Sequence, residues 1–145
     1  MIDINNDSLL REIMIKHFLT PTNKTLTNNK NAIIRELKSQ TCADQLIIEI
    51  LIEDQIIKSM RFDGLACAIA TSSIDLLINN LINLNTKKAI ELIKNYQDFL
   101  LTGTLTNIDQ LSELVVMKNI HKQKNRILCA SLALNDLLEI LSKNE

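Results

Sequence analysis

Apolar positions recur along this chain with two different periods, and the switches between them mark out its elements. Over residues 8–18, Leu10, Ile13, His17 and Phe18 fall on one helical stripe, with Asp7 or Ser8 placed to cap the start. Pro21 ends that helix, because the residue before a proline is pushed out of the helical region. Residues 20–31, rich in Thr, Asn and Lys, read as a surface loop. Residues 32–37 fit a strand or a helix equally. Over residues 45–52 the period drops to two. Leu46, Ile48, Ile50 and Ile52 share one face, and Glu49 and Glu53 take the other. Glu53-Asp54 turns the chain into a second strand over residues 55–62, which Gly64 ends.

Beyond Cys67 the helical period returns. Ile74, Leu77, Ile78, Leu81 and Ile82 recur at i, i+3, i+4, i+7 and i+8. Asn85-Thr86 is a stop and a new cap. Ala89, Ile93, Tyr96 and Leu100 form the next stripe, and Thr102-Gly103-Thr104 closes it. Residues 107–119 predict a shorter helix, residues 121–126 a basic loop, and a last helix carries Ile127, Ala130, Leu134, Leu137 and Leu141. Helix, strands, then helices predict an α+β domain, a small antiparallel sheet covered by helices. The chain has 145 residues, with no internal repeat and no linker, so a single domain over 1–145 is expected.

Composition narrows the function classes. The chain is 46% hydrophobic and 23% charged, which excludes a disordered tail. Its formal net charge of −1 gives no basic footprint for nucleic acid, and an aromatic share of 3% without Trp offers few stacking platforms. The longest apolar stretch, residues 46–52, is interrupted by Glu49, so nothing approaches the roughly 18 apolar residues of a membrane span. The first residues hold no basic region ahead of an apolar run. A secretory signal is therefore not expected, and the cytoplasm is the expected compartment.

The candidate chemistry lies in three cysteines, Cys42, Cys67 and Cys129. An odd number cannot close into intramolecular disulfides alone. In a reducing compartment such thiols stay reduced, turn catalytic or bind metal. The absence of a Cys-x-x-Cys pair excludes a zinc ribbon. Each cysteine is expected at an element boundary: Cys42 in the loop before the first clear strand, Cys67 ahead of a helix, Cys129 in the first turn of the last helix. Helix N-termini carry unpaired N–H groups and partial positive charge, which favour thiolate. Asp44, two residues from Cys42, shares its face if the strand begins there. Three thiolates and a carboxylate make a tetrahedral set for zinc. Pattern alone favours the opposite outcome, three inert buried cysteines, because Cys is among the most buried residue types. His17, on an apolar stripe, reads as a core or interface histidine. His121, beside Lys122, Lys124 and Arg126, reads as part of a solvated basic loop. No phosphate loop, Gly-x-Ser-x-Gly elbow or catalytic triad supports phosphoryl transfer or serine hydrolysis.

Four segments taken together are more specific. Residues 9–18 followed by Thr20-Pro21-Thr22-Asn23-Lys24 resemble the opening helix "LYxxxIxDHYxxPxNxG" of the U-type (NifU/IscU-like) iron–sulfur cluster assembly proteins. Thr41-Cys42-Ala43-Asp44 is similar to that family's Cys-Gly-Asp loop. Residues 62–70 resemble its "F-x-G-x-G-C-x-I-S" segment, and residues 126–133 its "A-R-[IV]-K-C-A-T-L-x" segment. The resemblance runs from about Leu9 to Leu138. It is nearest to the SufU branch, because the stretch between Cys67 and Cys129 is long and Leu128 stands where the IscU branch has His.

The resemblance implies a zinc site made by Cys42, Asp44, Cys67 and Cys129. It also implies a sulfur acceptor, a form of sulfurtransferase, that works with a cysteine desulfurase of the SufS type and with downstream iron–sulfur assembly proteins. The desulfurase brings its own pyridoxal phosphate. Cys42, in a loop, is the expected nucleophile, and Arg126 is a candidate for partner contact or thiolate support. The alternative within the family is a scaffold on which iron or a labile [2Fe-2S] cluster is assembled. The alternative outside it is a non-enzymatic interaction module with inert cysteines. Nucleic acid and membrane are not expected as partners, and the chain is expected to be a monomer or weak dimer. Ala43 and Ala66 replace family glycines, and if either position needs φ > 0 an alanine is strained there by roughly 1 kcal/mol.

Overall fold

The structure is a computed structural model, and it describes residues 2–38, 44–105 and 107–144. It opens with helix α1 (Asp7–Leu19), started by Asn6, whose side chain accepts from the Leu9 N–H at 3.1 Å. Three strands follow: β1 (Ile33–Lys38), β2 (Gln45–Glu53) and β3 (Ile56–Leu65). They form an antiparallel sheet in the order β1-β2-β3. The segment that sequence left ambiguous is β1, because β2 offers it an edge in register from Ile33↔Ile50 to Lys38↔Gln45. The β2–β3 turn lies one residue later than expected. Asp54 and Gln55 both have positive φ, 53° and 63°, the backbone twist that suits a two-residue hairpin.

Leu46, Ile48 and Ile50 on β2, with Met60 and Phe62 on β3, form the buried face. Glu49 points to the other face as expected, yet it is only 1% exposed. The preceding loop folds over it, and its carboxylate accepts from Thr27 N–H, Thr27 hydroxyl and Asn28 N–H at 2.7–3.1 Å. Gly64 does not end β3; it pairs with Leu46 inside the strand at φ +116°. A Cβ there would stand 2.3 Å from the Gln45 carbonyl oxygen, so only glycine fits.

The sheet is covered by helices, giving the α+β architecture. Helix α2 (Ala68–Leu81) is buried along almost its whole length, which makes it the central helix. Helix α3 (Thr86–Thr102) starts at Asn85, which caps Lys88 N–H, and stops at Gly103 in the left-handed conformation. The His121 ring lies so close to Gly103 that a Cβ there would meet it at 2.5 Å. His121 is thus half-buried against the end of α3 rather than in a solvated loop.

The C-terminal third corrects three expectations. The helix expected over 107–119 is a four-residue helix α4 (Ile108–Leu111) and a 3₁₀ segment, Ser112–Met117. Ser112 breaks the run by taking φ +49°. The basic stretch is a 3₁₀ turn, Ile120–Lys122, leading into helix α5 (Lys124–Ala130). The last helix is therefore two, α5 and α6 (Leu134–Lys143). Ser131 N–H closes the final helical bond to Ile127, and the Ser131 hydroxyl competes for the same carbonyl at 2.7 Å. Leu132 and Leu134 then bond only three residues back, so the chain tightens and turns.

Candidate metal centre

The register of the sheet begins the site. Pairing Gln45 with Leu65 brings the residue before β2 beside the residues after β3. Asp44 accordingly accepts the backbone N–H of Cys67 on Oδ1 at 2.8 Å, and it is 7% exposed. Cys67 is the N-cap of α2, in extended backbone conformation, and its Sγ accepts from Ala70 N–H at 3.4 Å. Its expected position ahead of a helix is what the structure has. Ala66, the neighbour that replaces a family glycine, does not have positive φ and carries no strain of that kind.

Cys129 arrives from the opposite end of the chain. It lies at the C-terminal end of α5, not in the first turn of the last helix. The negative end of a helix dipole is therefore nearest it, the opposite of the expected N-terminal placement. The ligand atoms of Asp44, Cys67 and Cys129 nevertheless all lie within 4.8 Å of one another. Both cysteines are half-buried. Two soft sulfurs and one carboxylate at this spacing match the donor set that zinc takes.

Cys42 and Ala43 lie outside the described residues. Arg126 is exposed on α5, one turn before Cys129, and its Nε donates to Gln123 Oε1 at 3.1 Å. Leu65 and Leu128, each within two residues of a candidate cysteine, are 83% and 48% exposed, which the apolar pattern did not anticipate. His17 is a buried core histidine, as expected, but its partner was not anticipated. Its Nδ1–H donates to Asp75 Oδ2 at 2.6 Å inside the packing of α1 on α2. The available signal was the polar run Thr71-Ser72-Ser73 and Asp75 among the apolar residues of α2, all four of them buried.

A three-stranded antiparallel sheet under helices, with an aspartate and two cysteines gathered near the start of its central helix, describes a domain whose side chains could hold a metal ion there. Residues 10–133 match the NifU-like N-terminal domain family, and the chain belongs to it. It is 23% identical over 141 residues to the zinc-dependent sulfurtransferase SufU of Bacillus subtilis, covering 97% of this chain and 95% of that protein. It is 26% identical over 111 residues to the iron–sulfur cluster assembly scaffold protein IscU of Thermotoga maritima, covering 77% and 78%. Two solved structures share its fold. A nitrogen-fixing NifU-like protein (N-terminal) from Brucella abortus superposes with a TM-score of 0.80 at 10% identity, covering 98% of this chain and 97% of that one. A SUF-system protein from Fervidobacterium islandicum AW-1 gives 0.74 at 22% identity, covering 89% and 93%.

Proposed function

We propose that this protein accepts sulfur from a cysteine desulfurase for iron–sulfur cluster assembly, with zinc held by Cys42, Asp44, Cys67 and Cys129. The observation that carries the proposal is the convergence of Asp44, Cys67 and Cys129 within 4.8 Å. Similarity along nearly the whole chain to a zinc-dependent sulfurtransferase supports it. Zinc, when bound, keeps thiolates deprotonated and adds no redox chemistry of its own. Residues 1–145 are read as one domain of this kind, in the cytoplasm, as a monomer or weak dimer.

Cys42 is the proposed acceptor. Its thiolate attacks the outer sulfur of the partner's persulfide. A new S–S bond forms on Cys42, the partner's S–S bond breaks, and the electron pair leaves with the partner's cysteine thiolate. Cys67 caps α2 and Cys129 stands at the end of α5, and these two serve as the anchoring ligands, while Asp44, the hardest donor, is the one to leave when the site opens. Arg126 is exposed, and its planar guanidinium offers several N–H donors, which suits partner docking or support of the attacking thiolate. Leu65 and Leu128 offer apolar contact beside the site. A downstream iron–sulfur assembly protein takes the sulfur by the same exchange in reverse.

A second reading, a scaffold for a labile [2Fe-2S] cluster, is favoured by the similarity to IscU of Thermotoga maritima and by the preference of such clusters for thiolate. Leu128, in place of the histidine of that branch, weighs against it. Metal and sulfide analysis of protein purified without added metal tests both. Equimolar zinc supports the first reading, and iron with labile sulfide supports the second. Neither metal would mean inert cysteines in an interaction module.

A further inference from the structure

Cys129 rides on a helix of seven residues, too short to hold a ligand in place by itself. The last carbonyl of that helix, on Ala130, belongs to the acceptors a helix end leaves unsatisfied. Ser73 Oγ donates to it at 2.6 Å. The Tyr96 hydroxyl lies 2.7 Å from the same Ser73 oxygen. A serine hydroxyl has one proton, and a carbonyl can only accept. Ser73 therefore gives its proton to Ala130, and Tyr96 donates to Ser73. Burial pushes the Tyr96 pKa up by more than the Ser73 bond lowers it, so the phenol keeps the proton this direction requires. Tyr96 is fully buried and Ser73 is 2% exposed, so water does not compete for either bond.

We propose that Tyr96 and Ser73 form a positioning relay that fixes Cys129 against Cys67 and so sets the geometry and affinity of the metal centre. The inference rests on the zinc–thiolate reading above and deepens it. Cys67 caps α2, and Ser73 stands six residues along the same helix. One rigid element thus carries a ligand at its start and the anchor for the other ligand's helix further on. Ala70, Ala130 and Ala133 gather around the contact. Ala130 is the only buried residue of α5, so apolar packing alone leaves the helix's register on α2 weakly fixed, and the directional bond supplies what packing leaves open. Tyr96, reaching in from α3, holds the Ser73 hydroxyl in the rotamer that points at Ala130. Neither residue contributes a ligand atom.

Cobalt(II) is the probe, because its thiolate charge-transfer and d–d bands report the geometry of the sulfurs around it. The full-length metal-free chain is titrated as wild type, Ser73→Ala, Tyr96→Phe and Phe99→Leu. Phe99 is buried on the same helix as Tyr96, and its truncation measures the effect of lost stability alone. Ser73→Ala is expected to weaken cobalt binding about 10-fold and to shift the bands, the usual scale for a group that orients a ligand. Tyr96→Phe shifts them the same way by less, because Ser73 keeps its bond to Ala130. Phe99→Leu melts earlier with an unchanged spectrum. Wild-type affinity and bands in Ser73→Ala overturn the relay, as do shifts that follow melting temperature across all three variants. If Ser73→Ala does not fold, unchanged bands in Tyr96→Phe overturn it. A wild-type chain with no thiolate–cobalt bands overturns the zinc reading itself, a result distinct from any of these.

Discussion

The backbone N–H of Cys67 donates to Asp44 Oδ1 at 2.8 Å, joining the residue ahead of β2 to the cap of α2. A carboxylate has two oxygens and several acceptor sites, so holding an N–H leaves it able to bind metal as well. The two roles separate by substitution. Asp44→Asn keeps an acceptor for the N–H but loses the charge. In the metal-free state it should melt near the wild type, while zinc affinity drops about 10- to 100-fold. Asp44→Ala should lose both, with a further destabilisation of about 1–3 kcal/mol for the abandoned buried N–H. Thermal melts paired with chelator competition read the two effects apart.

Asp75, fully buried on α2, accepts from His17 Nδ1, Thr22 N–H, Asn23 N–H and Asn23 Nδ2 at 2.6–3.1 Å. It ties α1 and the loop around Pro21 to the central helix. Asp75→Ala leaves the buried His17 and Asn23 donors without their acceptor and should cost about 3 kcal/mol. Denaturant unfolding measures the loss. Asp75 is no ligand, so whatever remains folded should still bind one equivalent of cobalt.

Much of the fold is legible in the sequence where periodicity alone decides. The alternation of Leu46, Ile48 and Ile50 gives β2, and the stripe from Ile74 to Leu81 gives α2. The breaks at Ser112 and Ser131 are not legible. They are made by a backbone turn and by a hydroxyl competing for a carbonyl, while the apolar spacing runs on unbroken. That is why Cys129 moves from the expected start of a helix to the end of one. The candidate set Asp44, Cys67 and Cys129 is legible from short motifs. The Ser73–Tyr96 pair and the Ser73–Ala130 contact, 23 and 57 residues apart in sequence, are not.

Acid should loosen the protein through Glu49. Burial raises its pKa, but the hydrogen bonds from the Thr27 hydroxyl and from the Thr27 and Asn28 N–H groups outweigh burial, and the net pKa lies below the ordinary 4.5. A carboxylate with a depressed native pKa adds stability that is complete above the unfolded value. That stability is lost as pH falls from about 4.5 through the native pKa. Glu49→Gln should be less stable than wild type at neutral pH, with the difference shrinking below pH 4.5. Urea midpoints across that range check the sign.

Chelation should destabilise the fold, because a metal held by Asp44, Cys67 and Cys129 would tie the approach to β2, the cap of α2 and the end of α5 to one point. A ligand that binds only the native state adds about 4 kcal/mol when its free concentration is a thousandfold above Kd. The melting temperature should therefore drop on metal removal and return on adding zinc. Amide exchange should quicken first at Cys67–Ala70 and along α5. An unchanged melt after verified metal removal would count against a structural role.

Sulfur acceptance at Cys42 is read by mass spectrometry of the zinc-loaded protein after incubation with a cysteine desulfurase and cysteine. One added sulfur atom is expected on the peptide containing Cys42, and none on the peptides containing Cys67 or Cys129. In Cys42→Ser the added sulfur is expected to disappear while the variant stays folded. Sulfur found on Cys129, or none at all while the desulfurase is active and the protein is folded, would contradict acceptance at Cys42.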